Sequence, residues 1–211
     1  MSHAMKSPEQ RHPDMSHDWR QIPLPANIVC SENCFLQSAQ IFGQFHSTRS
    51  PGLTMGTGSG IYSQSQLVVG ERGAIRLGDY ACINSATLQC EAEITIGAHC
   101  LIAWGVVIAD CVPDPAIWSG RWFAKPRHRG RPTIPAPADA RPVVLCDNVW
   151  VGFGSVIMPG VTIGEGAIIG CRTVIDTDVP PYTLVAGSPA RMIRALDRDE
   201  SRKLHSSDCI A

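Results

Sequence analysis

The chain has 211 residues, 44% of them hydrophobic and 18% charged, with a formal net charge of −1. That length supports one domain with a sizeable core and leaves two cramped. The near-neutral charge offers no basic field to nucleic acid or anionic lipid, and no apolar run approaches the roughly 20 residues of a membrane-spanning helix.

Aromatic residues are scarce (6%) while 19 glycines and 16 prolines are present, a balance that suits a turn-rich β architecture over a helical bundle. Residues 1–27 are polar, rich in Pro and His, and lack the apolar middle of a secretory signal; they are expected to be a disordered lead-in. The domain is expected over 28–187. Its first part, 28–68, is weakly patterned, with a Gly- and Ser-rich stretch over 50–65, and predicts an N-terminal cap with irregular strands. A six-residue spacing then emerges at Leu77 and Ile83, and again at Ile96, Ile102 and Ile108. Thirteen residues separate Ile83 from Ile96, which is two hexads plus one inserted residue.

Residues 109–142 interrupt this spacing with prolines, the aromatics Trp118, Trp122 and Phe123, and arginines at 121, 127, 129 and 131. A loop of this length inside a compact domain is usually functional or mobile. Aromatics beside arginines also suit single-stranded nucleic acid, but one short basic loop on a near-neutral chain disfavours that partner.

The spacing returns in its cleanest form at Leu145, Val151, Ile157, Ile163, Ile169 and Ile175, with small or β-branched residues at Val149, Ser155, Val161, Ala167 and Thr173. Neither a 3.6-residue helix nor a period-2 strand yields this pattern. It predicts a coil of short strands joined by tight corners: the aliphatic fills a narrow core, the small residue fits where the wall bends, and Gly relieves the corner. Beyond it, Ser188 as N-cap, Pro189 at the first helical position and helix formers from Ala190 to Leu204 predict a short C-terminal helix and tail over 188–211, capping the coil.

Nine cysteines, several of them inside the apolar pattern (Cys82, Cys90, Cys100, Cys146, Cys171), read as buried reduced thiols of a cytoplasmic protein. Cys30 and Cys34 are four apart with no second Cys or His pair at zinc spacing, so no metal is expected.

Asp147-Asn148-Val149-Trp150-Val151-Gly152, Met158-Pro159-Gly160-Val161-Thr162-Ile163-Gly164, and the closing Val179-Pro180-Pro181-Tyr182 with Ala186-Gly187-Ser188-Pro189-Ala190-Arg191 together resemble the hexapeptide-repeat acyltransferases, such as maltose and galactoside O-acetyltransferases and glycan-cluster acetyltransferases. The resemblance covers 143–196 well and 75–110 fairly. It implies an all-β fold, a left-handed parallel β-helix of hexapeptide repeats, in a homotrimer with active sites between neighbouring coils. It also implies acetyl-CoA as acyl donor, lying along a crevice, and a sugar or glycan acceptor.

By the same resemblance Asn84 lies in the substrate crevice. Gly152, Phe153 and Gly154 line the pantetheine, Cys171, Arg172 and Thr173 form the next coil's contact, and Arg191 and Arg194 approach the CoA phosphates. Trp104, at a corner before the insertion, either stacks on an acceptor sugar or packs the trimer interface.

Acyl transfer from a thioester to a hydroxyl needs a base, an oxyanion donor and a positioned thioester. The family supplies the base from a His just after Ile108, yet here the stretch reads Ile108-Ala109-Asp110-Cys111-Val112-Pro113-Asp114-Pro115. The open alternatives are Asp110 or Asp114 with a raised pKa, His128 from the insertion, a base elsewhere, or a non-catalytic trimeric binding or assembly protein that lost the His. His99, at a corner of the repeat, reads as structural.

Overall fold

The computed structural model describes residue 18 and residues 23–62, 64–112 and 139–198. They form three sheets of six, eight and six short strands, parallel but for the last strand of the second, wound as a left-handed parallel β-helix of about six turns. Each turn visits the three faces in order, so every strand hydrogen-bonds to its equivalents in the turns before and after.

Three columns of aliphatics fill the prism. Met55, Leu77, Ile96, Leu145 and Ile163 stack on the first face. Ile61, Ile83, Ile102, Val151, Ile169 and Val185 stack on the second. Leu67, Leu88, Ile108, Ile157 and Ile175 stack on the third. All are buried, and the expected ladder from Leu145 to Ile175 is the inward row of the last two turns. Most of the coil's stability comes from removing these side chains from water, at about 2 kcal/mol for each.

The coil also takes in residues 28–68, where an irregular cap was expected. Ile28, Leu53 and Ile75 are register partners on the first face, so two full turns precede the first legible hexads. Their hexads are hidden because their turns are long: 25 residues from Ile28 to Leu53 and 22 from Leu53 to Ile75, against 18 from Leu145 to Ile163. Part of the excess forms a short 3-10 turn, Ala39–Phe42, capped by Ser38. Asp18 seals that cap, its carboxylate accepting from the Ser38 hydroxyl at 3.0 Å and the Ala39 N–H at 2.8 Å.

The corner between the first and second faces repeats one conformation seven times. Asn33, Gly58, Tyr80, His99, Asn148, Gly166 and Tyr182 all have φ between 48° and 66°, the left-handed region that turns the chain within one residue. Each of the last six donates its N–H to the carbonyl before the equivalent residue one turn earlier, as His99 does to Asp79 at 2.8 Å. His99 is thus a corner residue whose ring stacks on Tyr80, with centroids 5.2 Å apart. Changing His99 to Gly is expected to move the melting temperature by no more than about 2 °C, because the lost stacking and the relieved left-handed strain are each about 1 kcal/mol and oppose one another. A thermal melt checks this.

The insertion leaves from the corner between the third and first faces. Ile96 and its partner Leu145 are 49 residues apart, 31 more than a regular 18-residue turn. Residues 113–138 lie outside the described residues, and with them the expected Asp114, Trp118, Trp122, Phe123 and His128. The neck is tightly made. Asp110 is fully buried, its two carboxylate oxygens accept from the N–H groups of Glu91 (2.8 Å) and Ala92 (2.7 Å), and its carbonyl accepts from Arg141 (2.7 Å).

The expected C-terminal helix is corrected over its first residues: Arg191–Ala195 is a β-strand, antiparallel to Thr183–Ala186. The final turn leaves an open row of backbone donors and acceptors, and the chain doubles back to pair with it, which a helix would not do. Residues 199–211 lie outside the described residues. No helix among the described residues is long and apolar enough to cross a membrane.

Candidate functional site

The second corner, between the second and third faces, collects most of the sequence-predicted residues into one column. Asn84, Ala103, Gly152, Gly170 and Ala186 hold one register position on successive turns, a run of about 19 Å at the usual strand spacing. Rising through the turns, the exposed part of the corner reads Ser85, Trp104 with Gly105, Phe153 with Gly154, and Cys171 with Arg172. Gly105 N–H donates to Ser85 O (2.8 Å), Gly154 N–H to Trp104 O (3.1 Å) and Arg172 N–H to Phe153 O (2.9 Å), so the backbone is paired from turn to turn.

The side chains of this column are set by the turns beneath them. Asn84 ends the strand Cys82–Asn84, half-buried, with the Ser85 hydroxyl 3.4 Å from its Oδ1. The Trp104 and Phe153 rings stack with centroids 5.6 Å apart and planes 15° from parallel, and the Arg172 guanidinium lies 5.7 Å over the Phe153 ring.

Gly152 is closely held: a Cβ there would sit 2.8 Å from Cys171 N and 2.9 Å from Ile169 O. Gly152→Ala is therefore expected to destabilise the coil by about 1–2 kcal/mol, read as a lowered denaturation midpoint, because the contacts are backbone and cannot turn aside.

Arg191 pairs across the sheet with Ala186 and so stands at the end of the column; Arg194 lies further along the same exposed strand, opposite Leu184. Thr173 does not face outward. It is fully buried, its hydroxyl 3.4 Å from Cys171 O and accepting from Gly187 N–H at 3.1 Å, so it shapes the corner from behind.

Asp110 is also apart from the column, on the third corner, with both oxygens held by backbone donors. It therefore closes the neck of the insertion and leaves no free oxygen toward a substrate. Sequence reasoning missed this role; the signal was Asp178, which sits at the same corner of the last turn and accepts from Thr162 N–H at 2.7 Å.

Burial holds five of the thiols in the protonated form, whereas Cys171, expected to be buried, is exposed. Burial pushes Cys30, Cys100 and Cys111 up to about 12, with the Asp110 carboxylate adding to the effect at Cys111, and burial likewise raises Cys82 and Cys90. Among the described residues no group of three or more His, Cys, Asp or Glu side chains is placed to hold a metal ion. A cavity of about 670 Å³ lies at the other end of the coil, lined by Pro23, Ser38, Phe42, Gln64 and Leu67 among others, and no titratable side chain lines it.

The hexads find counterparts among known proteins. Residues 142–177 match the bacterial transferase hexapeptide model of six repeats. A hexapeptide-repeat acetyltransferase of Vibrio cholerae, solved with acetyl coenzyme A, is 31% identical, aligns over 75% of each chain and superposes with a TM-score of 0.55.

The chain belongs to the hexapeptide-repeat transferase family.

A chloramphenicol acetyltransferase of Agrobacterium fabrum is 47% identical over 58 residues, and the matched stretch is 28% of each chain. The chain thus spans about 28% of the length of the curated relatives it matches. An N-acyltransferase of Bacillus cereus, solved with dTDP-4-amino-4,6-dideoxyglucose and coenzyme A, is 21% identical over 86% of this chain and 87% of its own, with a TM-score of 0.58; it shares the fold. Within this transferase family member, the column at the second corner brings exposed side chains and a terminal arginine into line along the coil.

Proposed function

We propose that the protein transfers acetyl from acetyl-CoA to a hydroxyl of a sugar or glycan precursor. The observation that carries this reading is the column itself. Asn84, Gly152 to Gly154, Cys171, Arg172 and Arg191 occupy one edge, long enough for an extended pantetheine arm, with a guanidinium at its end to meet phosphate. The acetyl-CoA-bound relative with the same coil supports it. Acyl-CoA is the donor, and no metal enters the scheme.

In the transfer, the acceptor oxygen attacks the thioester carbonyl and its proton passes to a base. The C–S bond then breaks, and the coenzyme A sulfur leaves and takes up the proton. With both Asp110 oxygens committed to the neck, we assign the base to His128, in the insertion outside the described residues, ahead of Asp114. Asn84, at the donor end of the column, is assigned to orient the reacting groups.

We further read the working form as a homotrimer in the cytoplasm. The outer side of the first face carries Thr54, Arg76, Thr95 and Thr162 beside Val29 and Val144, whereas from the fourth turn on the second face presents Leu101, Trp150 and Ile168 and the third Val107, Val156 and Val174. Two apolar faces meeting at the column suit packing of identical coils around a threefold axis with the column between them. Free thiols suit a reducing compartment.

One feature favours a second reading, a trimeric binding or assembly protein without turnover: there is no His from Ile108 to Pro115. Incubating the protein with acetyl-CoA and a panel of glycosides, while following release of the coenzyme A thiol, separates the two. Thiol release that depends on a glycoside establishes the transferase. Binding of acetyl-CoA without release supports the second reading, and no binding of acetyl-CoA overturns the first.

A further inference from the structure

We propose that Trp104, Phe153 and Arg172 form one acceptor platform, on which the apolar face of a pyranose ring lies against the indole; this rests on the acetyl-transfer reading above. Trp104 is 60% exposed at its corner, so its surface is presented outward. Three planar groups on successive turns hold its plane: the indole against the Phe153 ring, and the Phe153 ring against the Arg172 guanidinium. The rungs between Gly154 and Trp104 and between Arg172 and Phe153 fix the tiers from behind. Among the described residues Arg172 has no acidic partner, and covering Phe153 is the contact its guanidinium makes.

The stack opens toward the donor end of the column. Ile83 and Leu88, inward neighbours across this corner in the third turn, are five residues apart, where Ile102 and Ile108 in the fourth are six. The third-turn corner is therefore one residue short and stands back beneath the indole, with Asn84 and Ser85 as its floor. A flat apolar plane above a polar floor complements a ring that is apolar on one face and carries hydroxyls at its edge. A pyranose has that shape and an acyclic polyol does not. Seated there, a ring hydroxyl lies beside Asn84, where the thioester is read to lie. Phe153 and Arg172 thereby serve the acceptor through their side chains, while the backbone of their tiers stays with the donor.

Steady-state kinetics with acetyl-CoA and methyl β-D-glucopyranoside or methyl β-D-galactopyranoside, with sorbitol as acyclic control, test the platform in full-length protein. Trp104→Ala is expected to raise the acceptor KM about tenfold and leave the acetyl-CoA KM within about twofold, while Trp104→Phe returns most of the loss. Phe153→Leu, which frees the indole plane, is expected to raise the acceptor KM about threefold. An equal rise in the acetyl-CoA KM, an unchanged acceptor KM, or dissociation of the oligomer without an acceptor effect overturns the proposal. If the wild-type protein releases no thiol with any acceptor, saturation-transfer NMR with the same two glycosides still decides. A signal in wild type that is lost in Trp104→Ala upholds the platform when transfer itself has failed, and no signal in wild type overturns it.

Discussion

His128→Ala is expected to lower kcat for acetyl transfer by about 100- to 1,000-fold while leaving the acetyl-CoA KM within about twofold, as removal of a positioned base does. The expectation rests on elimination. Asp110 is buried and held by Glu91 and Ala92, and His99 is a corner residue on the far side of the second face from the column. The variant should also lose the dependence of rate on pH that an imidazole base imparts. Rates and a pH profile from pH 5 to 9 check this. A His128→Ala variant with unchanged kcat moves the assignment to Asp114, whose replacement by Asn should then give the same loss. If neither change matters in an enzyme that turns over, the base lies elsewhere in the chain.

Asp110→Ala is expected to cost about 3 kcal/mol of stability, a fall in melting temperature on the order of 6–12 °C. It strips the acceptor from two backbone N–H groups at a fully buried corner and leaves both without partners. Asp110→Asn keeps one carbonyl oxygen and should lose about half as much. Denaturation of the three proteins by urea or heat measures the effect. A catalytic carboxylate would instead show full stability with lost turnover, so the pair of readouts separates the two roles.

The two halves of the coil were unequally legible for a reason that lies in turn length. From Leu145 to Ile175 each turn has 18 residues and the aliphatic ladder repeats without interruption. In the first turns extra residues at the corners break the spacing, and the inward side chains Ile28, Leu53 and Leu67 are visible only once their partners are known. At Ile83 and Ile96 the expected single insertion is a corner one residue short, followed by eight residues from Leu88 to Ile96.

For the candidate site, Asn84, Gly152 and Gly154 were legible because their neighbours repeat the family motif. The contact of Trp104 with Phe153 was not, since 49 residues and the insertion separate two rings that stand on adjacent turns. Asp110 shows the opposite limit. A carboxylate after the last regular strand is chemically able to be a base, and only its burial and its two donors assign it to the neck. At Arg191–Ala195 the capping signals around Ser188 pointed to a helix, but an unpaired strand edge nearby outweighs local propensity.

The neck built from Asp110 and Arg141 has an evolutionary corollary. Because the chain leaves the prism and rejoins it at hydrogen-bonded neighbours, the connection from Ile96 to Leu145 can be lengthened without moving either strand. Closing a 49-residue connection in place of an 18-residue one costs only about 1 kcal/mol of chain entropy. The scaffold can therefore accept connections of other lengths at this one point while the column on another corner stays as it is.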